Sequence, residues 1–298
     1  MIFPSEPSMK SAPESKLFST NKTLNIRGRL LDLSTPKIMG VLNVTSDSFY
    51  DGDRYNTEEA LLGQVERMLD EGATFIDVGA YSSRPGAKDI PQNEELSRAI
   101  SAINLIIKKF PQAIISIDTF RSSVAYAALQ EGASLINDIS AGELDPKMFQ
   151  TAASLQVPFI AMHMRGNPMT MSNLSSYQHL IKEITDYFHK KIYLLHQHGI
   201  KDVIIDPGFG FAKTVQQNFE LLNDLDYFKI LGKPIMVGLS RKSMIWKTLA
   251  IDPEAALNGT TALNTIALMK GVNILRVHDV KEAMETVKLV LSVKSQIS

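Results

Sequence analysis

Three short clusters set a cationic side chain beside hydroxyls or an imidazole: Ser82-Ser83-Arg84-Pro85-Gly86, Ser240-Arg241-Lys242-Ser243 and Arg276-Val277-His278. Arginine presents a planar fork of donors that matches phosphate, and lysine a compact point charge. A second set, Asp118, Asn137 and Asp206, consists of carboxylates and an amide. Such groups suit a polar heterocycle with several N–H donors. Asn43, with Thr45 and Asp47 after it, Asp138 and His163 complete the candidates. Taken singly, any one of them is a turn residue or a helix cap before it is a ligand. As a set they describe a place for a donor-rich ring and a phosphate-like group. Lys242 and Ser243 also open a helical segment, where unpaired backbone N–H groups and the dipole favour a further anion.

Each candidate stands at or just beyond the end of a short apolar run, and that placement is the structural signal. The runs cover residues 37–43, 74–78, 114–118, 135–137, 159–162, 203–206, 235–238 and 274–277. They are continuous rather than alternating, as expected of parallel strands buried on both faces. Amphipathic helices fall between them: Leu96, Ile100, Ile103 and Ile107 recur at helical spacing, as do Leu180, Ile184, Phe188, Ile192 and Leu195. Asp145-Pro146 and Asp252-Pro253 read as N-caps with a first-turn proline, and Gly72, Gly132, Gly199 and Gly271 as helix stops. Glu71-Gly72-Ala73-Thr74 and Glu131-Gly132-Ala133-Ser134 echo one another, each leading into an apolar run.

Eight strand–helix units in about 260 residues predict an α/β fold of the (β/α)8 TIM-barrel type, whose strand ends converge on one mouth. A doubly wound sheet is the alternative, but it carries a glycine-rich turn after its first strand. Here the first run ends Leu42-Asn43-Val44-Thr45. Residues 23–33 predict a hairpin plugging the barrel's N-terminal end. Residues 1–22, rich in Ser, Pro and Lys, read as a flexible extension to a single domain over 23–298. Their first twenty lack the apolar stretch of a secretory signal, and Glu6 and Glu14 argue against a transit peptide.

Composition removes several functions. Lys+Arg at 31 nearly balances Asp+Glu at 32, so global charge favours neither nucleic acid nor an anionic membrane surface. Without cysteine there are no disulfides or thiolate metal sites, which suits a cytoplasmic setting. No apolar run reaches the ~20 residues of a membrane helix. Gly208-Phe209-Gly210-Phe211-Ala212-Lys213-Thr214 imitates a P-loop but has Ala212 in place of the glycine before lysine, and Lys213 breaks the GxGxxG alternative. His196 and His198 read as surface residues, not metal ligands.

Five motifs together resemble the dihydropteroate synthase family. They are Met39-Gly40-Val41-Leu42-Asn43-Val44-Thr45-Ser46-Asp47-Ser48-Phe49, Ser82-Ser83-Arg84-Pro85-Gly86, Asp206-Pro207-Gly208-Phe209-Gly210-Phe211, Ser240-Arg241-Lys242-Ser243 and Arg276-Val277-His278-Asp279. They fall in the family's order, within a resemblance spanning residues 23 to 293. The family joins (7,8-dihydropterin-6-yl)methyl diphosphate to p-aminobenzoate, releasing pyrophosphate. The resemblance implies that Asp118, Asn137, Asp206 and Lys242 hold the pterin, and that Asn43 meets the pyrophosphate and its Mg²⁺. It implies a diphosphate site from Arg84, Arg276, Val277 and His278 with Ser83 nearby, and an aminobenzoate site from Phe49, Ser83, Pro85, Phe211 and Ser243. Asp47, Arg84, Lys242, Arg276 and His278 would take the catalytic parts, sulfonamides would inhibit, and the chain would pair as a homodimer.

Tyr81 stands where many members have glutamate, Ser83 where threonine is usual and Ser46 where proline is usual; none removes a group the reaction needs. A corrinoid-dependent pterin methyltransferase is the nearest alternative, but it needs no pyrophosphate site, which Arg84 and Arg276-Val277-His278 would form. A catalytically silent pterin-binding barrel is the other. The polar stretches 45–56 and 81–92 are long for strand–helix loops and carry Asp47, Phe49, Ser83 and Arg84. They are expected to close over the mouth during turnover.

Overall fold

The computed structural model describes residues 22–44, 54–82 and 89–296. Strands β1 (Thr23–Ile26) and β2 (Arg29–Asp32) pair antiparallel. Arg27 and Gly28 between them both have positive φ, the two-residue turn whose twist matches the strands. The Gly28 N–H donates to Asn25 Oδ1 at 2.8 Å and closes it.

Eight parallel strands follow: β3 (Lys37–Asn43), β4 (Phe75–Gly79), β5 (Ile114–Asp118), β6 (Leu135–Asp138), β7 (Phe159–Met162), β8 (Val203–Asp206), β9 (Met236–Val237) and β10 (Ile274–Val277). They hydrogen-bond in the order β8-β7-β6-β5-β4-β3-β10-β9. A parallel bridge between Ile205 and Ile235 brings the two ends together, so the sheet closes as a TIM barrel. Around it lie α1 (Arg54–Asp70), α2 (Gln92–Lys109), α3 (Ser122–Gln130), α4 (Met148–Leu155), α5 (Leu180–Gln197), α6 (Val215–Asn223), α7 (Ser243–Leu249), α8 (Leu257–Met269) and α9 (Val280–Lys294).

Helix and strand periodicities explain the layering. Ile103 on α2, and Leu180, Ile184, Phe188 and Leu195 on α5, turn inward and are buried between helices and sheet. Ile76 and Val78 on β4 face the same layer, while Phe75 points the other way, into the barrel. There Met39, Phe75, Leu135, Ile160, Ile204, Met236 and Ile274 form an apolar floor. Leu24, Ile26 and Leu33 from the hairpin pack against it, so the hairpin plugs the N-terminal end as expected. The Asn25 N–H donates to Asp202 Oδ2 at 3.1 Å and pins it there.

Some local expectations fail for identifiable reasons. The run at 235–238 yields regular pairing over Met236–Val237 alone, because Ile235 makes only an isolated bridge. Asp145 does not cap its own helix, which begins at Met148. Its carboxylate accepts the Ser122 N–H at 2.7 Å, at the start of α3, and the Lys147 N–H at 3.0 Å. Asp252 does stand at an N-cap with Pro253 in the first turn, as expected, but of a 3-10 turn over Pro253–Ala255 ahead of α8, and its side chain makes no cap bond. The four predicted helix-stop glycines adopt φ of 102°, 115°, 84° and 92° beyond α1, α3, α5 and α8.

The hairpin's burial makes a stability prediction. Leu33 is fully buried, whereas Leu30 is 76% exposed. Leu33→Ala should cost about 2–5 kcal/mol in urea unfolding, and Leu30→Ala no more than about 0.5 kcal/mol. Equal losses would mean that the hairpin does not seal the barrel.

Candidate active site

The side chains two residues beyond the apolar floor lie one pleat closer to the mouth. Beyond Phe75, Ile114, Leu135, Ile204 and Ile274 stand Asp77, Ser116, Asn137, Asp206 and Arg276. The barrel interior therefore changes abruptly from apolar to polar, and the polar storey is where a ligand can be read.

Arg276 organises it. Its Nε donates to Asp77 Oδ2 at 2.6 Å and its Nη2 to Asp118 Oδ2 at 2.6 Å. Asn137 Nδ2 donates to the same Asp77 oxygen at 3.1 Å. Burial works against the Arg276 charge, but the two carboxylates outweigh it and hold its pKa above the ordinary value. Asp118 is pushed up to about 7, by burial first, with Arg276 pulling it down and Asp77 adding to the rise.

Across the mouth, burial also raises the pKa of Asp206, against the pull of Lys242 and of the Gly208 N–H, which donates to its Oδ1 at 2.8 Å. That bond requires a sharp turn after β8. A Cβ on Gly208 would lie 2.1 Å from the His163 carbonyl oxygen, and its φ is 72°. Lys242 stands at the residue before α7, donates from Nζ to the Phe209 carbonyl and lies 4.8 Å from the Phe211 ring centre. Burial lowers its pKa to about 8, opposed by Asp206.

The remaining candidates divide. Asn43, Asp118, Asn137, Asp206, Lys242, Ser243, Arg276 and His278 all sit at or just past the C-terminal ends of strands. Asn43 and Asp118 approach the same face of Gly79, whose missing side chain leaves space between them. His278 is exposed at the rim, its Nδ1 3.0 Å from Ser240 Oγ. Val277 differs, since its side chain packs in the layer between sheet and helices. Asp138 is a turn residue: it accepts the Ser140 hydroxyl and the N–H groups of Ser140 and Gly142. Arg241 and Asp279, embedded in two of the motifs, pair with each other through two hydrogen bonds of 3.0 and 2.7 Å. They tie the β9–α7 connection to the start of α9.

Asp47, Phe49, Ser83, Arg84 and Pro85, with most of the two long loops, lie outside the described residues. The anchor beside the second loop is described. Tyr81 meets Phe120 edge-on at 5.0 Å and Arg121 at 5.3 Å, so the aromatic ring in the unusual position is packed. Arg121 also donates to the buried Glu95 at 2.7 Å and to the Ile90 carbonyl at 2.9 Å.

Sequence reasoning missed Asp77. Its signal is a charged residue in the middle of the otherwise apolar Phe75–Gly79 strand, at a position that alternation turns inward. A fully buried carboxylate there requires a cation or donor, and Arg276 supplies it.

Comparison with known proteins agrees with this geometry. Residues 39–278 match the family model described as pterin binding enzyme. The dihydropteroate synthase of Escherichia coli strain K12 is 41% identical over 266 residues, covering 89% of this chain and 94% of that protein. A crystal structure of the Yersinia pestis dihydropteroate synthase with a sulfonamide drug complex superposes with a TM-score of 0.86 at 38% identity, covering 92% of this chain and 99% of that one. The Xanthomonas albilineans dihydropteroate synthase with 4-aminobenzoic acid gives 0.85 at 36% identity, with the same coverage. With its polar storey of carboxylates, amide and arginine above an apolar floor, the chain belongs to the pterin-binding enzymes and, among them, to the dihydropteroate synthases.

Proposed function

We infer that this chain joins (7,8-dihydropterin-6-yl)methyl diphosphate to p-aminobenzoate, giving 7,8-dihydropteroate and pyrophosphate. The observation that carries this reading is the polar storey itself, acceptors and a cation held in register inside an apolar barrel. Asp206, Asp118 and Asn137 take the pterin ring. An ionised Asp206 accepts from the 2-amino group and the adjacent ring N–H, a two-donor edge that a carboxylate matches. The C–O bond to the diphosphate then breaks with its electron pair leaving on pyrophosphate. The methylene left behind is a cation delocalised into the pterin, and the surrounding carboxylates stabilise it. Arg276 and His278 balance the departing charge. The aniline nitrogen of p-aminobenzoate forms the new C–N bond with its lone pair and loses a proton. No side-chain nucleophile is needed.

Phe211, and Ser243 at the start of α7, form the side that takes p-aminobenzoate: a flat ring beside Phe211 and a carboxylate near Ser243. Lys242 stands between that side and Asp206 and holds the pterin. The 4-aminobenzoic acid in the Xanthomonas relative supports that assignment. Sulfonamides compete for the same place, in line with the Yersinia complex. Mg²⁺ fits as a partner of the diphosphate. No group of three His, Asp or Glu side chains able to hold a metal occurs among the described residues, so Asn43 would supply one oxygen and the diphosphate and water the rest. The ion would lower the charge on the leaving group. A homodimer through the last two helices is supported by Ile266, Met269, Leu289 and Val293, which expose apolar surface on α8 and α9.

A turnover assay with the pterin alcohol and its diphosphate in parallel tests the reaction class. Product should form with p-aminobenzoate only from the diphosphate, and methyl transfer or silence would sink the assignment. Calorimetry on Asp206→Asn should show pterin binding at least about tenfold weaker, since a donor then faces donors. Unchanged affinity would take Asp206 out of the pterin site. The pH profile of kcat/KM for the pterin substrate should be bell-shaped. Asp118 gains its proton below about 7 and can no longer accept as a carboxylate. Lys242 loses its charge above about 8. A flat profile from pH 5.5 to 9.5, relative to these pKa values, would contradict the roles of both groups.

A further inference from the structure

The segment that imitates a P-loop has a job in this fold that neither its sequence nor the reaction assigns. Between Asp206 and α6 the chain makes a tight turn in which Gly208, Gly210 and Ala212 all adopt positive φ. Such a backbone turns carbonyls inward, where they need donors. Lys213 supplies them. Its Nζ lies 2.9 Å from the Gly208 carbonyl, 3.0 Å from the Phe211 carbonyl and 3.0 Å from His163 Nδ1. Burial pushes the Lys213 pKa well down, with Asp206 pulling it back up. As an ammonium it has three N–H bonds for these three partners; as a neutral amine it has two for the carbonyls and a lone pair for His163.

His163 makes the seat rigid. It is buried at the end of β7, with the rings of Tyr177, Tyr187 and Phe188 around it at 6.2, 4.9 and 6.4 Å. Burial, with Lys213 beside it, pushes the His163 pKa down and keeps the imidazole neutral. Its Nδ1 accepts from the Lys213 ammonium or donates to the neutral amine, and the two nitrogens stay paired in either form. Tyr177 adds a bond from its hydroxyl to the Ala212 carbonyl at 3.0 Å. The same turn places three groups of the active site: the Gly208 N–H on Asp206, the Phe209 carbonyl that receives Lys242, and the Phe211 ring beside Lys242.

We propose that Lys213, seated on His163, is a positioning residue for the aminobenzoate side of the reaction, holding the turn that sets Phe211 and Lys242. This rests on the reading of Phe211 as part of the aminobenzoate place. Lys213 touches neither substrate. It acts through two carbonyls, so its loss should spare the pterin acceptors Asp118 and Asn137, which lie on other strands. Asp206, the third, keeps its backbone in register with Met162 on β7 and its carbonyl bonded to the His163 N–H at 2.9 Å.

Lys213→Met keeps the length of the side chain and removes every donor. His163→Phe keeps a ring among rings and removes the nitrogen that pairs with Lys213, so it should fold even where Lys213→Met does not. Both are compared with wild type and with Phe211→Ala by urea unfolding, by calorimetry of pterin binding, and by KM for p-aminobenzoate. The expected result is folded protein, pterin affinity within about threefold, and an aminobenzoate KM raised about tenfold in Lys213→Met and less in His163→Phe. Lys213→Arg, which retains donors and charge, should recover part of the loss. A normal aminobenzoate KM in a folded Lys213→Met or His163→Phe protein, while Phe211→Ala raises it, overturns the proposal alone. An unchanged KM in Phe211→Ala overturns the reading beneath it and the proposal together. Equal losses for both substrates would make Lys213 a general stabiliser and overturn it as well.

Discussion

Arg276 is the charge on which the barrel interior depends. It lies between Asp77 and Asp118, 2.6 Å from each, inside the barrel and directly above its apolar floor. A lone carboxylate at Asp77 would be untenable there, and two of them more so. The arginine makes the arrangement possible, and in return the carboxylates keep it charged and aimed. Removing one member of such a buried group typically costs about 3–5 kcal/mol because it strands the others. The arrangement also places an arginine donor, a half-buried acid and an amide within one storey. A ring bearing several N–H groups can exchange bonds with that storey without displacing water-exposed charges.

The storey exists because the barrel is built in two registers. Inward positions near the strand starts are apolar and packed by the hairpin, and inward positions two residues on are polar on five strands, with Val41, Met162 and Gly238 on the others. The same alternation sends Ile76, Val78 and Val277 outward to the helices. Function and stability thus occupy opposite ends of the same strands, so loops and side chains at the mouth can vary without touching the floor.

Much of this was legible in the residues. Continuous apolar runs marked the parallel strands because burial on both faces leaves no polar alternation to confuse them. Strand-end placement identified Asp118, Asn137, Asp206, Lys242 and Arg276, since a barrel sends all such ends to one mouth. The resemblance to a known family, and not spacing, separated these from Asp138, which is a turn residue. Asp77 escaped because it lies inside a run, where only the phase of the strand shows that it points inward. Asp145 misled because its carboxylate serves a helix start more than twenty residues earlier in the chain, a long-range bond that no local pattern encodes. The Lys213–His163 pair escaped for the same reason, its members being 50 residues apart.

The closure between β8 and β9 has a mechanical consequence. Every other neighbouring pair in the barrel shares a ladder of registered residues, whereas this joint has the Ile205–Ile235 bridge and a backbone bond of 3.0 Å from the Ile205 N–H to Pro234. Asp206 stands on one lip of that seam and Lys242 on the other, and the Lys242 bond to the Phe209 carbonyl is a side-chain stitch across it. A hoop with one thin weld strains first at the weld. Thermal breathing of the cylinder is therefore concentrated between its anionic and cationic lips, and a guest bound to both would act as a clasp that stiffens the whole ring.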